Sequence, residues 1–241
     1  MAEETEITRD TLLRGRVKLL QPRHGFRSSL DPVLLAGFIA PPFGRFLDIG
    51  CASGALAFLL LARDQAANGI GIEIQPHLAA LAEQGAEANG FDNRFHAVTG
   101  DVRASGTIEA QAFDLVAINP PFRLVRGGVL SPLSEKALAN HEVALALSEW
   151  LDVAAAAMRP DGRLASIFTF DRWDELRDGL SLRGLAVIRS RQVLPRAGHG
   201  PSRILVEARR GVVEARTEPP LIIHDGAGYS VEVRRMLGED A

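Results

Sequence analysis

The stretch RFLDIGCASGALAFLLLAR, positions 45–63, decides the fold. FLDI (46–49) is a short apolar run that ends in a glycine-bearing turn, and ALAFLLLAR (55–63) then reads as a buried helix. A strand that turns sharply into a helix opens a strand-helix-strand unit, and the segments downstream continue the alternation. IGIEI (70–74) is β-branched and alternating, hence a strand. Pro76 suits the first turn of a helix in which Leu78, Leu81, Ala82 and Gly85 recur at helical spacing, and Gly90 stops it. RFHAVTGD (94–101) and FDLVAIN (113–119) are further strands. HEVALALSEWLDVAAAAM (141–158) is a long amphipathic helix ended by Pro160 and Gly162. RLASIF (163–168) is a strand and DRWDELRDGL (171–180) a helix. This order predicts an α/β fold, Rossmann-like and doubly wound around a mostly parallel sheet.

The flanks differ in character. LAVIRSRQVL (185–194) and RILVEARRG (203–211) have no helix of useful length between them, so they predict an antiparallel C-terminal edge; PLIIH (220–224) is a further short strand. Upstream, RVKLLQP (16–22) reads as a strand, RHGFRSS (23–29) as a turn, and Asp31–Ala40 as a helix with Asp31 at the N-cap and Pro32 at the first helical position. Residues 1–44 therefore form an N-terminal extension of strand, turn and helix, ahead of a main domain over 45–241.

The chain has 241 residues, 46% hydrophobic and 24% charged, enough to bury a core without disulfide or metal staples. Its single cysteine, Cys51, excludes an internal disulfide and a zinc cluster, and six scattered histidines lack metal-ligand spacing, so no metal is expected. The opening MAEETEITRD is acidic, unlike a signal peptide, and the apolar run Ala55–Ala62 falls far short of the roughly 20 residues that span a bilayer. These features predict a cytoplasmic protein with no membrane partner. The net charge of −3 gives no overall attraction for nucleic acid, but the charge is uneven: residues 186–216 hold seven Arg against two Glu. Exposed edge strands near the C-terminus permit dimerisation without requiring it.

Four elements carry chemistry. In Asp48-Ile-Gly-Cys-Ala-Ser-Gly, Gly50 and Gly54 allow a tight turn and close approach of a ligand, and the helix beyond offers unpaired N–H groups to an anion. Glu73, ending the next strand, stands where an acid accepts hydrogen bonds from ribose hydroxyls in nucleoside-binding folds. Asp101, after Gly100, is placed to take the amine of an adenine ring whose faces neighbouring apolar side chains sandwich. Asn119-Pro120-Pro121-Phe122 ends the fourth strand; its prolines remove donors and stiffen the backbone. The Asn119 amide oxygen and the Pro120 carbonyl then make a rigid acceptor pair for a planar amine, with Phe122 to stack on the ring that bears it.

Taken in order, these elements resemble class I S-adenosylmethionine-dependent methyltransferases that modify exocyclic amino or amide nitrogens, over roughly residues 45–170. HGFRSSLDPVLLAGF upstream, and SRILVEARRG and LIIHDGAGYSVEVRRML downstream, resemble the bacterial valine-tRNA adenine-N6 methyltransferase family over nearly the whole chain. The resemblance implies S-adenosylmethionine as cofactor, with Asp48, Gly50, Ala52 and Gly54 shaping its methionine side, Glu73 holding the ribose and Asp101 the adenine. Asn119, also beside the cofactor, Pro120, Pro121 and Phe122 would hold the target base. The extension 1–44 would cover the cofactor pocket. Ala52 stands where these enzymes carry a glycine, and Asn140 precedes His141-Glu142 where an Arg is expected; His141 reads as a helix cap.

The implied reaction is methyl transfer to the N6 amine of adenine in RNA, in tRNA(Val) next to the anticodon, by in-line positioning without a metal. Arg123 and Arg126, beside Gly127-Gly128, would form a lid meeting phosphates, and Arg189, Arg191 and Arg196 a basic RNA contact. Alternative readings are an enzyme acting on guanine in ribosomal RNA or on a protein glutamine amide, and an inactive cofactor-binding RNA partner. A dehydrogenase does not use an Asn-Pro-Pro-Phe strand end.

Overall fold

A computed structural model describes residues 6–25, 27–104, 106–120, 146–211 and 214–239. Pro121, Phe122, Arg123, Arg126 and the Asn140-His141-Glu142 segment lie outside the described residues.

The chain opens with an antiparallel hairpin, β1 (Ile7–Leu12) and β2 (Val17–Pro22). β1 has no counterpart in the sequence reading. Its residues, ITRDTL, show no apolar face, and pairing with β2, which buries Val17 and Leu19, makes it a strand. Helix α1 (Asp31–Phe38) follows with Leu30 at its N-cap and Asp31 already helical, one residue off the expected cap. The Asp31 carboxylate instead faces Arg203 Nε at 3.5 Å, a tertiary partner that displaces the local capping role.

The alternation then runs β3 (Arg45–Ile49), α2 (Ala55–Arg63), β4 (Asn68–Glu73), α3 (Pro76–Asn89), β5 (Phe95–Thr99) and β6 (Phe113–Ile118). It continues α4 (Leu147–Ala157), β7 (Met158–Thr169), α5 (Trp173–Ser181), β8 (Leu185–Arg196), β9 (Arg203–Arg210), β10 (Arg216–Asp225), β11 (Gly228–Tyr229) and α6 (Val231–Met236). Among the described residues, β3 to β11 form one nine-stranded sheet in the order β11-β10-β8-β9-β7-β6-β3-β4-β5. β8 and β9 pair antiparallel as expected, but β9 inserts beside β7, and β10 adds outside β8 in the parallel sense. Pro160 and Gly162, expected to end a helix, instead sit inside β7, where its register against β6 shifts.

From β3 the chain steps outward through β4 to β5, then returns to place β6 on the other side of β3. The carboxyl ends of β3 and β6 therefore flank a topological switch point, the place where ligands settle in open α/β sheets. Apolar side chains of the N-terminal segment, among them Leu13, Val17, Leu19 and Leu35, share one core with Phe58 and Leu60 of α2. The opposite face is closed by Trp150, Leu151, Leu176 and Leu180.

Arginine ties the C-terminal half together. Arg189 donates to Glu207 at 2.9 Å and Glu218 at 3.3 Å, and its guanidinium lies 4.0 Å from the centre of the Phe38 ring. Arg163 meets the other Glu207 oxygen at 3.3 Å and the Ala40 and Pro42 carbonyls. Arg191 makes a two-pronged pair with Glu232 of α6 at 2.6 and 2.8 Å. Of the arginines expected to meet RNA, Arg189 and Arg191 are engaged in folding contacts, Arg189 with the buried Glu207 and Arg191 with Glu232 and the Pro219 carbonyl. Arg196 is exposed and donates to the Gly226 carbonyl.

Arg189→Ala strips a nearly buried carboxylate of one of its two cations and is expected to cost roughly 2–3 kcal/mol, a fall of about 5–10 °C in Tm. A melting curve superimposable on the wild type would return Arg189 to the surface.

Candidate active site at the switch point

The turn after β3 is held from below by β4. Gly50 and Cys51 both donate to the Ile72 carbonyl, at 2.8 and 3.1 Å, and Gly54 N–H closes the turn onto the Cys51 carbonyl at 2.8 Å. Gly50, Ala52 and Gly54 all have positive φ, of +70°, +49° and +88°. At Gly54 a side chain is also barred by space, since a Cβ would lie 2.5 Å from the Phe58 ring. Ala52 has no such exemption and carries strain of about 1–2 kcal/mol in the left-handed region. Its N–H donates to Glu73 Oε2 at 3.0 Å, while Gln75 N–H donates to Glu73 Oε1 at 2.9 Å. The Glu73 carboxylate thus spans the ends of β3 and β4. An ionised carboxylate has about four acceptor positions, so two remain for further donors.

Asp48 is fully enclosed. Among the described residues its Oδ2 has no hydrogen-bond partner. Burial pushes its carboxyl up to about 7, opposed by the Ala57 N–H and reinforced by the neighbouring Glu73 charge. Burial first, and then the Asp48 and Glu73 charges, also push the Cys51 thiol well above its ordinary value.

Asn119 follows β6. The register pairs Asp48 with Ala117 and Ile49 with Ile118, so Gly50 and Asn119 stand level on neighbouring strands, about 4.8 Å apart. Strand alternation puts Asp48, Ala117 and Asn119 on the face that α2 covers. Asn119 Oδ1 is buried and, among the described residues, unpaired; Pro120 beside it is buried and has no N–H to offer. Two buried side-chain oxygens without partners among the described residues, Asp48 Oδ2 and Asn119 Oδ1, therefore lie at one switch point, each carrying an uncompensated desolvation cost.

Gly100 N–H donates to the Glu73 carbonyl at 3.0 Å, bringing Asp101 to the same rim. Arg103 holds the Asp101 carboxylate through Nε at 2.8 Å and Nη2 at 2.5 Å, and this pairing lowers the Asp101 pKa. Arg103 Nη1 also lies 3.6 Å from Glu149 Oε1 of α4. Ile74, which directly follows Glu73, is 47% exposed and offers an apolar surface at the end of β4. Neither Arg103 nor Ile74 was singled out from sequence. Ile74's position just past the acid was the available signal, whereas Arg103's ion pair appears only in three dimensions.

The structure thus brings Asp48, Gly50, Ala52, Gly54, Glu73, Asp101, Asn119 and Pro120 to the carboxyl ends of β3 to β6. Among the described residues, no three His, Cys, Asp or Glu side chains converge as metal ligands, and no helix is long and apolar enough to cross a membrane.

The sequence model of the methyltransferase small domain family matches residues 31–168. A protein of Porphyromonas gingivalis described as tRNA1(Val) (adenine(37)-N6)-methyltransferase is 34% identical over 214 residues, covering 84% of this chain and 83% of its own. One from Tolumonas auensis with the same description is 27% identical and covers 91% of each chain. Among solved structures, a predicted O-methyltransferase from Agrobacterium tumefaciens superposes with a TM-score of 0.68 at 24% identity, over 86% of this chain and 94% of that one. At that identity the superposition speaks for the fold.

Two outcomes follow from this geometry. The folded state keeps a proton on Asp48 that the unfolded chain has released, so this group's contribution to stability falls as pH rises from about 4 towards 7. Asp48→Asn removes that dependence. Relative to the wild type, the variant should gain on the order of 2 kcal/mol between pH 5 and 7.5 in denaturant titrations without ligand; parallel pH curves contradict the assignment. Ala52→Gly relieves the left-handed strain and should raise stability by ~0.5 kcal/mol, net of the glycine's extra freedom when unfolded. A lowered Tm would show that the alanine methyl makes a favourable contact.

Proposed function

The chain belongs to the methyltransferase small domain family, and from that premise we propose that it transfers the methyl group of S-adenosylmethionine to the exocyclic N6 amine of an adenine in RNA, the adenine next to the anticodon of tRNA(Val). The observation that carries this reading is the buried Oδ1 of Asn119, beside Pro120 at the switch point, which has no partner among the described residues. Such an oxygen accepts an N–H; it does not donate. A substrate amine supplies that donor.

The residues present fit the cofactor. Asp48 Oδ2 is a buried oxygen under the turn with no partner among the described residues, Glu73 keeps free acceptor positions at the rim, and Asp101 and the exposed Ile74 offer a charged edge and an apolar face. Bound there, S-adenosylmethionine supplies a methyl group already made electrophilic by its sulfonium. Everything else falls to the chain: Asp48 and Glu73 fix the two ends of the turn, and Asn119 with the Pro120 carbonyl draws on the amine hydrogens. Accepting those hydrogens stabilises positive charge as it develops on nitrogen, and the acceptors are already in place before reaction. Alignment of the reacting atoms and exclusion of water do the remaining work. We assign Pro121 and Phe122 to the face of the target base, Arg123 and Arg126 to phosphate contacts, and residues 1–44 to covering the cofactor pocket. The base must leave its stack to reach Asn119, which an anticodon-loop base does at low cost.

The relatives' shared description supports RNA as substrate, and the cytoplasm, where tRNA is modified, as the place of action. Incubation with labelled cofactor and total bacterial tRNA, followed by digestion, should yield labelled N6-methyladenosine; label in protein alone would favour the glutamine-amide chemistry. Asn119→Ala should lower kcat for this transfer by about 10³-fold with cofactor Kd changed less than about threefold. Equal loss of both would make Asn119 a structural residue.

A further inference from the structure

The sheet edge that carries Asn119 continues past it. β7, β8 and β10 run parallel to β6, so the carboxyl ends of β8 and β10 point the same way as the end of β6. Tracing register across the sheet, Ile118 pairs with Ser166, Ser166 with Val206, and Val206 with Ser190; β8 then runs on to Arg196. The outer strands therefore rise above the level of Asn119 as a wall. At its top, Arg196 pairs in register with His224, and His224 with Tyr229, which puts three side chains in one cross-strand row. By strand rise and spacing the row lies on the order of 25 Å from Asn119.

Its chemistry is unusual for this chain. Tyr229 is the protein's sole tyrosine and, among the described residues, the one exposed side chain of the Phe, Trp and Tyr set, at 40%. Its ring is backed by His224, with centroids 5.1 Å apart and planes 20° from parallel. Arg196, exposed in the same row, is held by the Gly226 carbonyl at the hairpin tip. A tyrosine on a two-residue edge strand, pre-stacked on a histidine that has an arginine on its other side, gives a nucleobase a π-face and the nearby RNA backbone a cation. The protein's net charge of −3 supplies no general attraction for RNA, so local contacts of this kind must supply it.

We propose that Tyr229, backed by His224 with Arg196 beyond it in the same row, is a stacking platform for an unpaired base of the RNA substrate, distinct from the adenine that reaches Asn119. The inference rests on the RNA reading above. Strand alternation puts the row on the sheet face opposite the one that α2 covers, so an RNA loop whose reactive adenine sits at the switch point would reach it across the top of the wall.

The test uses the full-length enzyme and the tRNA that it methylates, with Kd for tRNA and for S-adenosylmethionine measured separately. Tyr229→Ala and Tyr229→Leu should each weaken tRNA binding about 10-fold, Tyr229→Phe less than about twofold, and cofactor Kd should stay constant throughout. Arg196→Ala should flatten the dependence of log K on log salt by about one unit. Photocrosslinking should join Tyr229 to a base other than the methylated one. Wild-type tRNA affinity in both Tyr229→Ala and Tyr229→Leu overturns the platform, including where Tm falls, since the ring then only closes the hairpin. Loss in Tyr229→Phe equal to that in Tyr229→Ala also overturns it, because the hydroxyl and not the ring would then be the contact. If the wild type methylates tRNA while these variants bind it normally, the platform alone fails; if the wild type methylates no RNA, both readings fall.

Discussion

The Glu73 carboxylate, buried where β4 ends, accepts the Ala52 and Gln75 amide protons and so fastens the turn after β3 to its neighbour. Of the three positive-φ residues in that turn, Ala52 is the one that Glu73 holds, and it is the one whose side chain disfavours the left-handed region. The turn in turn sets where α2 begins, and α2 closes one face of the sheet through Phe58, Leu59 and Leu60. A single desolvated anion thus ties the geometry of the cleft to the packing of the core.

The same anion has an electrostatic consequence one strand away. Asp48 lies under the turn in low dielectric, close enough to Glu73 to feel its charge, and its proton affinity rises accordingly. A region with an orphaned acceptor and two acids gains from a cationic or donor-rich ligand, and this is the character of S-adenosylmethionine, with its sulfonium, ammonium and ribose hydroxyls. On the far side of the switch point, Asn119 repeats the pattern in neutral form. The Asn119 oxygen, buried with no donor among the described residues, is costly for stability and useful for holding an amine.

The arginine-rich tail divides into two uses. Arg163, Arg189 and Arg191 neutralise Glu207, Glu218 and Glu232 and bind the C-terminal strands and α6 to the rest of the fold. Arg196, five residues beyond Arg191 at the end of β8, faces solvent in the row that carries Tyr229. Guanidinium groups do both because they keep their charge when half-buried and present several donors in a fixed plane.

The sequence by itself determined the alternation from β3 to β6, the glycine turn, the position of Glu73 and the strand end at Asn119. Each of these is written in local chemistry: apolar period, positive-φ residues, and prolines that end a ladder. It missed β1, whose residues have no apolar face, and misplaced the α1 cap, because Arg203 competes for Asp31 across most of the chain's length. Only the tertiary structure decided that β9 enters beside β7, that Arg189 meets a buried glutamate, that Arg103 grips Asp101, and that Arg196, His224 and Tyr229 fall in one row. Those outcomes depend on pairing between residues far apart in sequence, and neither periodicity nor composition encodes which distant strand a given edge will accept.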